Sequence, residues 1–95
     1  MSKVVIYALI DDDGRHFYVG STSIKLKYRL SAHTSRARSA REPIDVLACR
    51  IRGCKHGPWA VPLQLTDEDT RFETEHHWIR KLRSLGEDLV NHNLP

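Results

Sequence analysis

The sequence predicts a small α+β fold, an α/β sandwich in which helices flank a three-stranded antiparallel sheet in the order ββααβα. Two β-rich runs joined by a turn signal occupy the first part of the chain, a third such run lies near residue 60, and three other segments have helical signals. With 95 residues and a mass of 11.0 kDa, the chain is expected to form one domain over residues 1–95.

The first two strands form a predicted hairpin. The segment from Val4 to Ile10 is apolar, β-branched and aromatic, and the turn signal Asp11-Asp12-Asp13-Gly14 follows it. His16 to Ser21 is the predicted returning strand. The third strand is expected from Trp59 to Leu65, and Pro62 favours a sheet edge because proline cannot donate a ladder hydrogen bond.

The first two helices are predicted from their caps and periodicity. Ser23 is a plausible N-cap for a helix from Ile24 into the thirties. Glu42-Pro43 is expected to open the second helix, with proline at its first position, and Gly53 to end it. Apolar residues recur along this second helix at i, i+3, i+4 and i+7, which indicates a buried stripe: Ile44, Leu47, Ala48 and Ile51.

The third helix carries an acidic residue where an apolar one is expected. It is predicted to begin at Thr66-Asp67-Glu68-Asp69 and to run to about Leu85, with Gly86 as its stop. Glu75 falls in the middle of its apolar arc, which comprises Phe72, Trp78, Ile79 and Leu82. Because an unpaired buried carboxylate costs several kcal/mol, Glu75 either forms a structural ion pair or lines a polar pocket.

Residues with polar side chains, and one glycine, interrupt three other predicted elements. Arg29 and His33 lie one turn apart on the first helix, next to its apolar stripe of Leu26, Leu30 and Ala37. A guanidinium can bind phosphate oxygens, and an imidazole can transfer protons. Tyr7 and Tyr18 stand on the two hairpin strands, and Gly20 weakens the second strand unless some group must approach its backbone closely.

The charge of the chain is unevenly distributed. Fifteen Lys and Arg residues and 12 Asp and Glu residues give a net charge of +3. No acidic residue interrupts the stretch from Lys25 to Arg41, whose basic residues are Lys25, Lys27, Arg29, Arg36, Arg38 and Arg41. Such a stretch is typical either of a surface that binds a phosphate backbone or of a solvated helix face.

Nothing in the sequence indicates secretion or membrane insertion. The apolar run near Met1 is too short for a signal peptide, and no window approaches the roughly 20 apolar residues of a membrane span. Two cysteines are too few for a disulfide framework. We therefore expect an intracellular protein, located in the cytoplasm or wherever its substrate is found.

The tripeptides Val5-Ile6-Tyr7 and Tyr18-Val19-Gly20, separated by ten residues, resemble the paired tripeptides of the GIY-YIG nuclease family. Valine replaces the glycine of the first family tripeptide and the isoleucine of the second. The resemblance extends in order from residue 4 to residue 91, through Ser21-Thr22, Leu26, Arg29, His33, Glu75 and the terminal asparagine motif Leu89-Val90-Asn91.

The resemblance implies a DNA endonuclease that hydrolyses phosphodiester bonds with one divalent metal, Mg²⁺ or Mn²⁺. Glu75 matches the metal-binding glutamate of the family, and Arg29 matches the arginine that stabilises charge on the scissile phosphate. Tyr7 and Tyr18 match the tyrosine pair, His33 a histidine that assists proton removal, and Asn91 a residue that supports the site. Tyr7, assisted by His33, is our candidate for activating water.

DNA is the expected partner, and its expected contacts are Gly20, Lys25, Lys27, Arg36, Arg38 and Arg41. Phosphate contacts do not read bases, so we expect weak sequence preference, with selectivity for DNA shape such as nicks, flaps or branches. A second copy of the chain or a separate DNA-binding partner is a further expectation.

Two alternatives remain at the level of sequence. The first is a non-catalytic nucleic-acid-binding module on a nuclease scaffold, because fold and function can separate. The second is a zinc site at Cys49, Cys54 and His56, whose cysteine spacing lies within the range of zinc ligands. A buried structural thiol is the ordinary alternative to that zinc site.

Overall fold

The central strand of the sheet is buried on both faces. The computed structural model describes residues 3–39 and 45–91 and contains a sheet of three antiparallel strands. Strand β1 (Lys3–Ile10) lies between β2 (His16–Thr22) and β3 (Trp59–Asp67). Both of its faces are covered, which explains why its sequence is a continuous apolar run rather than an alternating one.

Helices cover both faces of the sheet and form a three-layer sandwich. Helices α1 (Leu26–Ser39) and α2 (Val46–Gly53) contribute to a core with Tyr7 and Leu9. Helix α3 (Arg71–Ser84) packs on the other face, against Val4, Ile6 and Ala8. The predicted α+β class and the order ββααβα are confirmed.

Two register shifts alter the outer strands. Leu9 pairs with Tyr18 but Ile10 pairs with His16, so Phe17 is an extra residue in β2. Phe17 and Tyr18 therefore both contact the core on the α1 and α2 side. In β3, the register shift lies next to Pro62, which pairs with Tyr7 of the central strand. Strand β3 is an outer strand, so Pro62 lies at a sheet edge, as predicted.

Both helices that follow the hairpin begin later than predicted. Helix α1 begins at Leu26, so Ser23 stands too far before it to be its N-cap. The Thr22 hydroxyl accepts the Ile24 N–H (3.1 Å) in a separate turn. Helix α2 begins at Val46, and the cap is Asp45, whose carboxylate accepts the Ala48 N–H (2.7 Å). The predicted start at residues 42–43, together with residue 44 of the stripe, lies outside the described residues.

The third helix is preceded by a separate turn. Asp67 caps a 3₁₀ turn over Glu68–Thr70 by accepting the Thr70 N–H (3.1 Å), so α3 itself begins only at Arg71. Gly86 ends it with φ = 91°, a left-handed conformation that favours glycine. Within residues 3–39 and 45–91, no helix has the length and apolar character required to cross a bilayer.

After α3 the chain covers the outer edge of β2. The Val90 N–H donates to the Phe17 carbonyl (2.8 Å), and Leu89 is buried in the α3 core. Glu87 accepts from Arg15 and His16, each at 2.7 Å. The bond from Val90 pairs a backbone carbonyl that an open sheet edge leaves unpaired.

Candidate active site

Four of the predicted site residues converge on the α1 side of the sheet. Tyr7 comes from β1, Tyr18 from β2, and Arg29 and His33 from α1, where Leu26, Leu30 and Ala37 pack into the core as predicted. The ring centroid of Tyr18 lies 6.4 Å from that of Tyr7 and 5.5 Å from that of His33.

The Tyr7 hydroxyl is the centre of this cluster. It lies 2.7 Å from His33 Nε2 and accepts a hydrogen bond from Arg29 Nε at 3.3 Å. Tyr7 is fully buried and His33 nearly so. By contrast, Tyr18 is half-buried, and its hydroxyl makes no hydrogen bond within residues 3–39 and 45–91.

Gly20 is required by the close approach of Tyr7. A Cβ atom at Gly20 would lie 2.6 Å from the Tyr7 hydroxyl oxygen and 2.9 Å from the Tyr18 ring, well inside van der Waals contact. The group that approaches the Gly20 backbone is thus a side chain of the same protein. Gly20 is buried beneath that side chain, and its predicted contact with nucleic acid stays a prediction.

Burial sets the protonation of the cluster. Burial raises the pKa of Tyr7 to about 12, although Arg29 opposes this rise. Burial, and then the positive charges of Arg29 and Arg36, lower the pKa of His33 to about 4. Tyr7 therefore keeps its proton and His33 is neutral at pH 7. Because Arg29 Nε already donates to the Tyr7 oxygen, we assign the tautomer in which His33 Nε2 accepts the Tyr7 hydroxyl proton. Burial also raises the pKa of Tyr18.

Glu75 belongs to a second polar cluster on α3. Its carboxylate accepts a hydrogen bond from Ser21 Oγ at 2.9 Å, and Ser21 Oγ accepts one from Arg71 Nε at 2.7 Å. Arg71 also donates to the Ser21 carbonyl (3.1 Å) and pairs with Glu68 (3.1 Å). The two clusters are electrostatically connected, since the charge of Glu75 contributes to the raised pKa values of both Tyr7 and Tyr18.

The predicted position of Glu75 in the middle of an apolar arc was wrong. Phe72 is 69% exposed, so the apolar arc is narrower than expected and Glu75 lies at its margin, half-buried. The arc consists of buried Ile79 and Leu82 with half-buried Trp78. Glu75 forms no ion pair with the residues that the structure describes, and its hydrogen-bond partner is the Ser21 hydroxyl.

Sequence reasoning missed the function of Arg71. Arg71 stands four residues before Glu75 on α3, a spacing that places the two side chains on one helix face. That spacing was available in the sequence. The contact of both side chains with Ser21 depends on how α3 packs against β2, which the sequence does not specify.

Asn91 stabilises the sheet edge rather than contacting the tyrosines. Its amide oxygen accepts the Val19 N–H (2.9 Å), and its amide nitrogen donates to the Val19 carbonyl (2.8 Å). Arg83 donates to the Asn91 carbonyl (2.8 Å). Because Val19 lies between Tyr18 and Gly20, Asn91 is a positioning residue for the strand that carries them.

The predicted basic surface is partly engaged within the protein. Lys25 and Lys27 are exposed. Arg36 pairs with Asp45 at 3.3 Å, and Arg38 donates to the Gly57 carbonyl at 2.9 Å, so neither guanidinium is wholly available to a partner. Arg41 lies outside the described residues.

The donor chemistry fits one hard divalent cation at Glu75. Mg²⁺ is commonly held by one or two carboxylates, water and substrate phosphates, so a single carboxylate is an adequate protein contribution. Three or more His, Cys, Asp or Glu side chains do not come together in metal-binding geometry anywhere in residues 3–39 and 45–91. The zinc hypothesis is therefore wrong: Cys49 is exposed, whereas the buried Cys54 thiol donates to the Arg50 carbonyl (3.4 Å).

Comparison with known families matches most of the chain. Residues 3–88 match the family model described as the GIY-YIG catalytic domain. That match includes Tyr7, Tyr18, Arg29, His33 and Glu75 and ends before Asn91. No curated protein and no solved structure matches the chain significantly.

Proposed function

The chain belongs to the GIY-YIG catalytic-domain family, and we propose that it is a metal-dependent DNA endonuclease that hydrolyses phosphodiester bonds through a single-metal site. The family implies a nuclease, and its members are generally metal-dependent. The observation that carries the proposal is the Tyr7 hydroxyl held between Arg29 and His33, with the Glu75 carboxylate near enough to influence its pKa.

Arg29 is the proposed ligand of the scissile phosphate. Its Nε is occupied by the Tyr7 hydroxyl, which orients the guanidinium and leaves its terminal nitrogens free of bonds to the described residues. A guanidinium can donate two parallel hydrogen bonds to a phosphate and stabilise the charge that grows on it in the transition state.

Tyr7 and His33 are the proposed proton-handling pair. The hydrogen bond from Tyr7 to His33 Nε2 provides a path for a proton. In the free protein the proton stays on Tyr7, because the pKa of Tyr7 is about 12 and that of His33 about 4. A phosphate bound at Arg29 would offset the positive charge that lowers the pKa of His33 and so make His33 a stronger base. Tyr18, with its hydroxyl free toward solvent, is the second proposed catalytic tyrosine.

Glu75 is the proposed ligand of Mg²⁺ or Mn²⁺. A bound divalent cation supplies Lewis-acid stabilisation of the phosphate and of the leaving oxygen. Ser21 holds the Glu75 carboxylate in place, and Arg71 holds Ser21. Neutralising the charge of Glu75 also removes one cause of the raised pKa values of Tyr7 and Tyr18.

We propose that DNA binding is electrostatic and of low sequence specificity. The exposed Lys25 and Lys27 are the main candidates for phosphate contacts, with Arg36, Arg38 and Arg41 as further ones. The choice among DNA substrates would then depend on the shape of the DNA. A second copy of the chain or a separate DNA-binding partner would add affinity.

A plasmid-nicking assay tests the proposal. Purified protein is incubated with supercoiled plasmid in Mg²⁺, Mn²⁺ or EDTA, and then with linear, nicked, flapped and branched DNA at one salt concentration. We expect nicking with either metal and none in EDTA. Intact DNA under all conditions, together with salt-dependent binding, would support the alternative of a non-catalytic binding module. A fixed cleavage sequence would contradict low specificity.

A further inference from the structure

An aromatic side chain stands exposed on the surface of α1. Tyr28 lies in the first turn of α1 and is 56% exposed, although the same helix has a buried apolar face. Its hydroxyl makes no hydrogen bond within the described parts of the chain. Lys27 Nζ lies 5.1 Å from the Tyr28 ring centroid. Ile24, which stands four residues before Tyr28 and precedes α1, is another exposed apolar residue, at 54%.

Tyr28 borders a row of positive charges that leads to the candidate active site. Lys25, Arg29 and Arg36 are separated by four and seven residues and therefore share one helix face. Lys25 continues the helical path, because its carbonyl accepts the N–H groups of Tyr28 (3.0 Å) and Arg29 (3.2 Å). This face opens onto the catalytic cluster, since Arg29 binds the Tyr7 hydroxyl.

This inference rests on the proposed endonuclease function and names its substrate class. We propose that Tyr28 stacks on an unpaired base while Lys25 and Arg29 contact phosphates of the same strand, so that the preferred DNA carries single-stranded nucleotides beside the scissile bond. Bases within a duplex stack on one another and offer no free face. An exposed aromatic ring among cations therefore gains most from an unpaired base, which combines a free π-face with a charged backbone.

Binding without cleavage tests this proposal. Fluorescence anisotropy in EDTA compares a labelled duplex with the same duplex carrying a three-nucleotide single-stranded flap. We expect the protein to bind the flapped DNA several-fold more tightly. Tyr28→Ala should weaken binding of the flapped DNA by about tenfold, the usual cost of losing one stacked base, and change duplex binding by less than about twofold. Tyr28→Phe keeps the ring and should retain the preference.

Two control variants separate stacking from charge and from general surface effects. Lys25→Ala should weaken binding of both DNAs alike and reduce the salt dependence by about one counterion. Trp59→Ala removes another exposed aromatic residue, 45% exposed, and should have no effect. Trp59 lies near the opposite end of α1, because Arg38 donates to the Gly57 carbonyl.

The proposal is overturned if the unmodified protein shows no preference for the flap, or if Tyr28→Ala weakens both DNAs equally. An equal loss of flapped-DNA binding in Tyr28→Phe and Tyr28→Ala would also overturn it, because the Tyr28 hydroxyl rather than the ring would then account for the binding. The endonuclease proposal fails independently: a protein that shows Tyr28-dependent flap binding in EDTA but never nicks DNA in Mg²⁺ or Mn²⁺ retains the stacking site and loses the enzymatic function.

Discussion

The part of the candidate site on α1 is buried and has strongly shifted pKa values, whereas the part on α3 is half-buried and rich in hydrogen bonds. Burial moves the pKa values of Tyr7 and His33 apart, to about 12 and about 4. Glu75 keeps a polar hydroxyl partner and a route to solvent. From this difference we propose a division of work, in which the α1 part handles a proton and binds phosphate and the α3 part presents a carboxylate to a hydrated cation.

The largest expected loss of activity follows removal of the carboxylate charge. Glu75→Gln keeps the size of the side chain and its capacity to accept from Ser21 but removes the anionic ligand for a cation. We expect nicking to fall by about 10³-fold, with a thermal midpoint close to that of the unmodified protein. Glu73→Gln, an exposed carboxylate on the same helix, is the matched control and should retain activity. Retained nicking in Glu75→Gln would exclude Glu75 as the metal ligand.

Loss of Arg29 should be nearly as severe. Arg29→Ala removes the proposed phosphate ligand and should lower the single-turnover nicking rate by about 10²–10³-fold. Arg29→Lys should recover little activity, because an ammonium cannot reproduce the bidentate geometry. Arg29→Ala should also raise the pKa of His33, which the charge of Arg29 lowers, and NMR titration of the imidazole measures that shift. An unchanged His33 titration would contradict the electrostatic coupling described above.

Tyr7→Phe should have an intermediate effect. It removes the hydroxyl that bridges Arg29 and His33 and keeps the buried ring above Gly20. We expect about a 10²-fold lower rate, within the range of general acid–base contributions. The free energy of unfolding should fall by only about 1–2 kcal/mol, because a buried hydrogen bond is lost without creating a large cavity. Full activity in Tyr7→Phe would eliminate Tyr7 as the group that activates water.

His33 should make the stability of the fold depend on pH. In the folded protein the pKa of His33 is about 4, so the ring stays neutral down to about pH 4. In the unfolded chain the ring has its ordinary pKa of 6.5 and takes up a proton below that pH. The free energy of unfolding is therefore highest above pH 6.5 and falls as the pH drops towards 4. Urea unfolding should give a decrease of up to about 2 kcal/mol between pH 7.5 and 5. In His33→Gln this decrease should be smaller. The same pH dependence in both proteins would contradict a buried neutral His33.

The smallest effect on activity is expected at Asn91. Asn91→Ala removes two hydrogen bonds to Val19 and should lower the free energy of unfolding by about 1–3 kcal/mol. The nicking rate at a temperature well below the unfolding transition should fall less than tenfold, without a change in its pH profile. A rate loss as large as that of Glu75→Gln would show that Asn91 acts on the substrate itself.

The sequence predicted the strand and helix order and the residues that converge at Tyr7, because their polar side chains interrupt regular patterns. It misplaced Phe72 because helical periodicity gives the direction of a side chain and not how far the sheet extends beneath it. Neither the register shift at Phe17 nor the contacts of Arg71 and Asn91 with β2 could be predicted. Each depends on how segments distant in the chain pack, and local propensity carries no information about that packing.

The division of work between the two parts of the site is tested most directly by the rate of plasmid nicking as a function of Mg²⁺ concentration. The measurement is made for the unmodified protein, Glu75→Gln and Tyr7→Phe under identical conditions. We predict that Tyr7→Phe lowers the maximal rate and keeps the half-saturating Mg²⁺ concentration, whereas Glu75→Gln shows no saturable dependence on Mg²⁺. A shifted Mg²⁺ requirement in Tyr7→Phe, or saturable nicking by Glu75→Gln, would contradict this division.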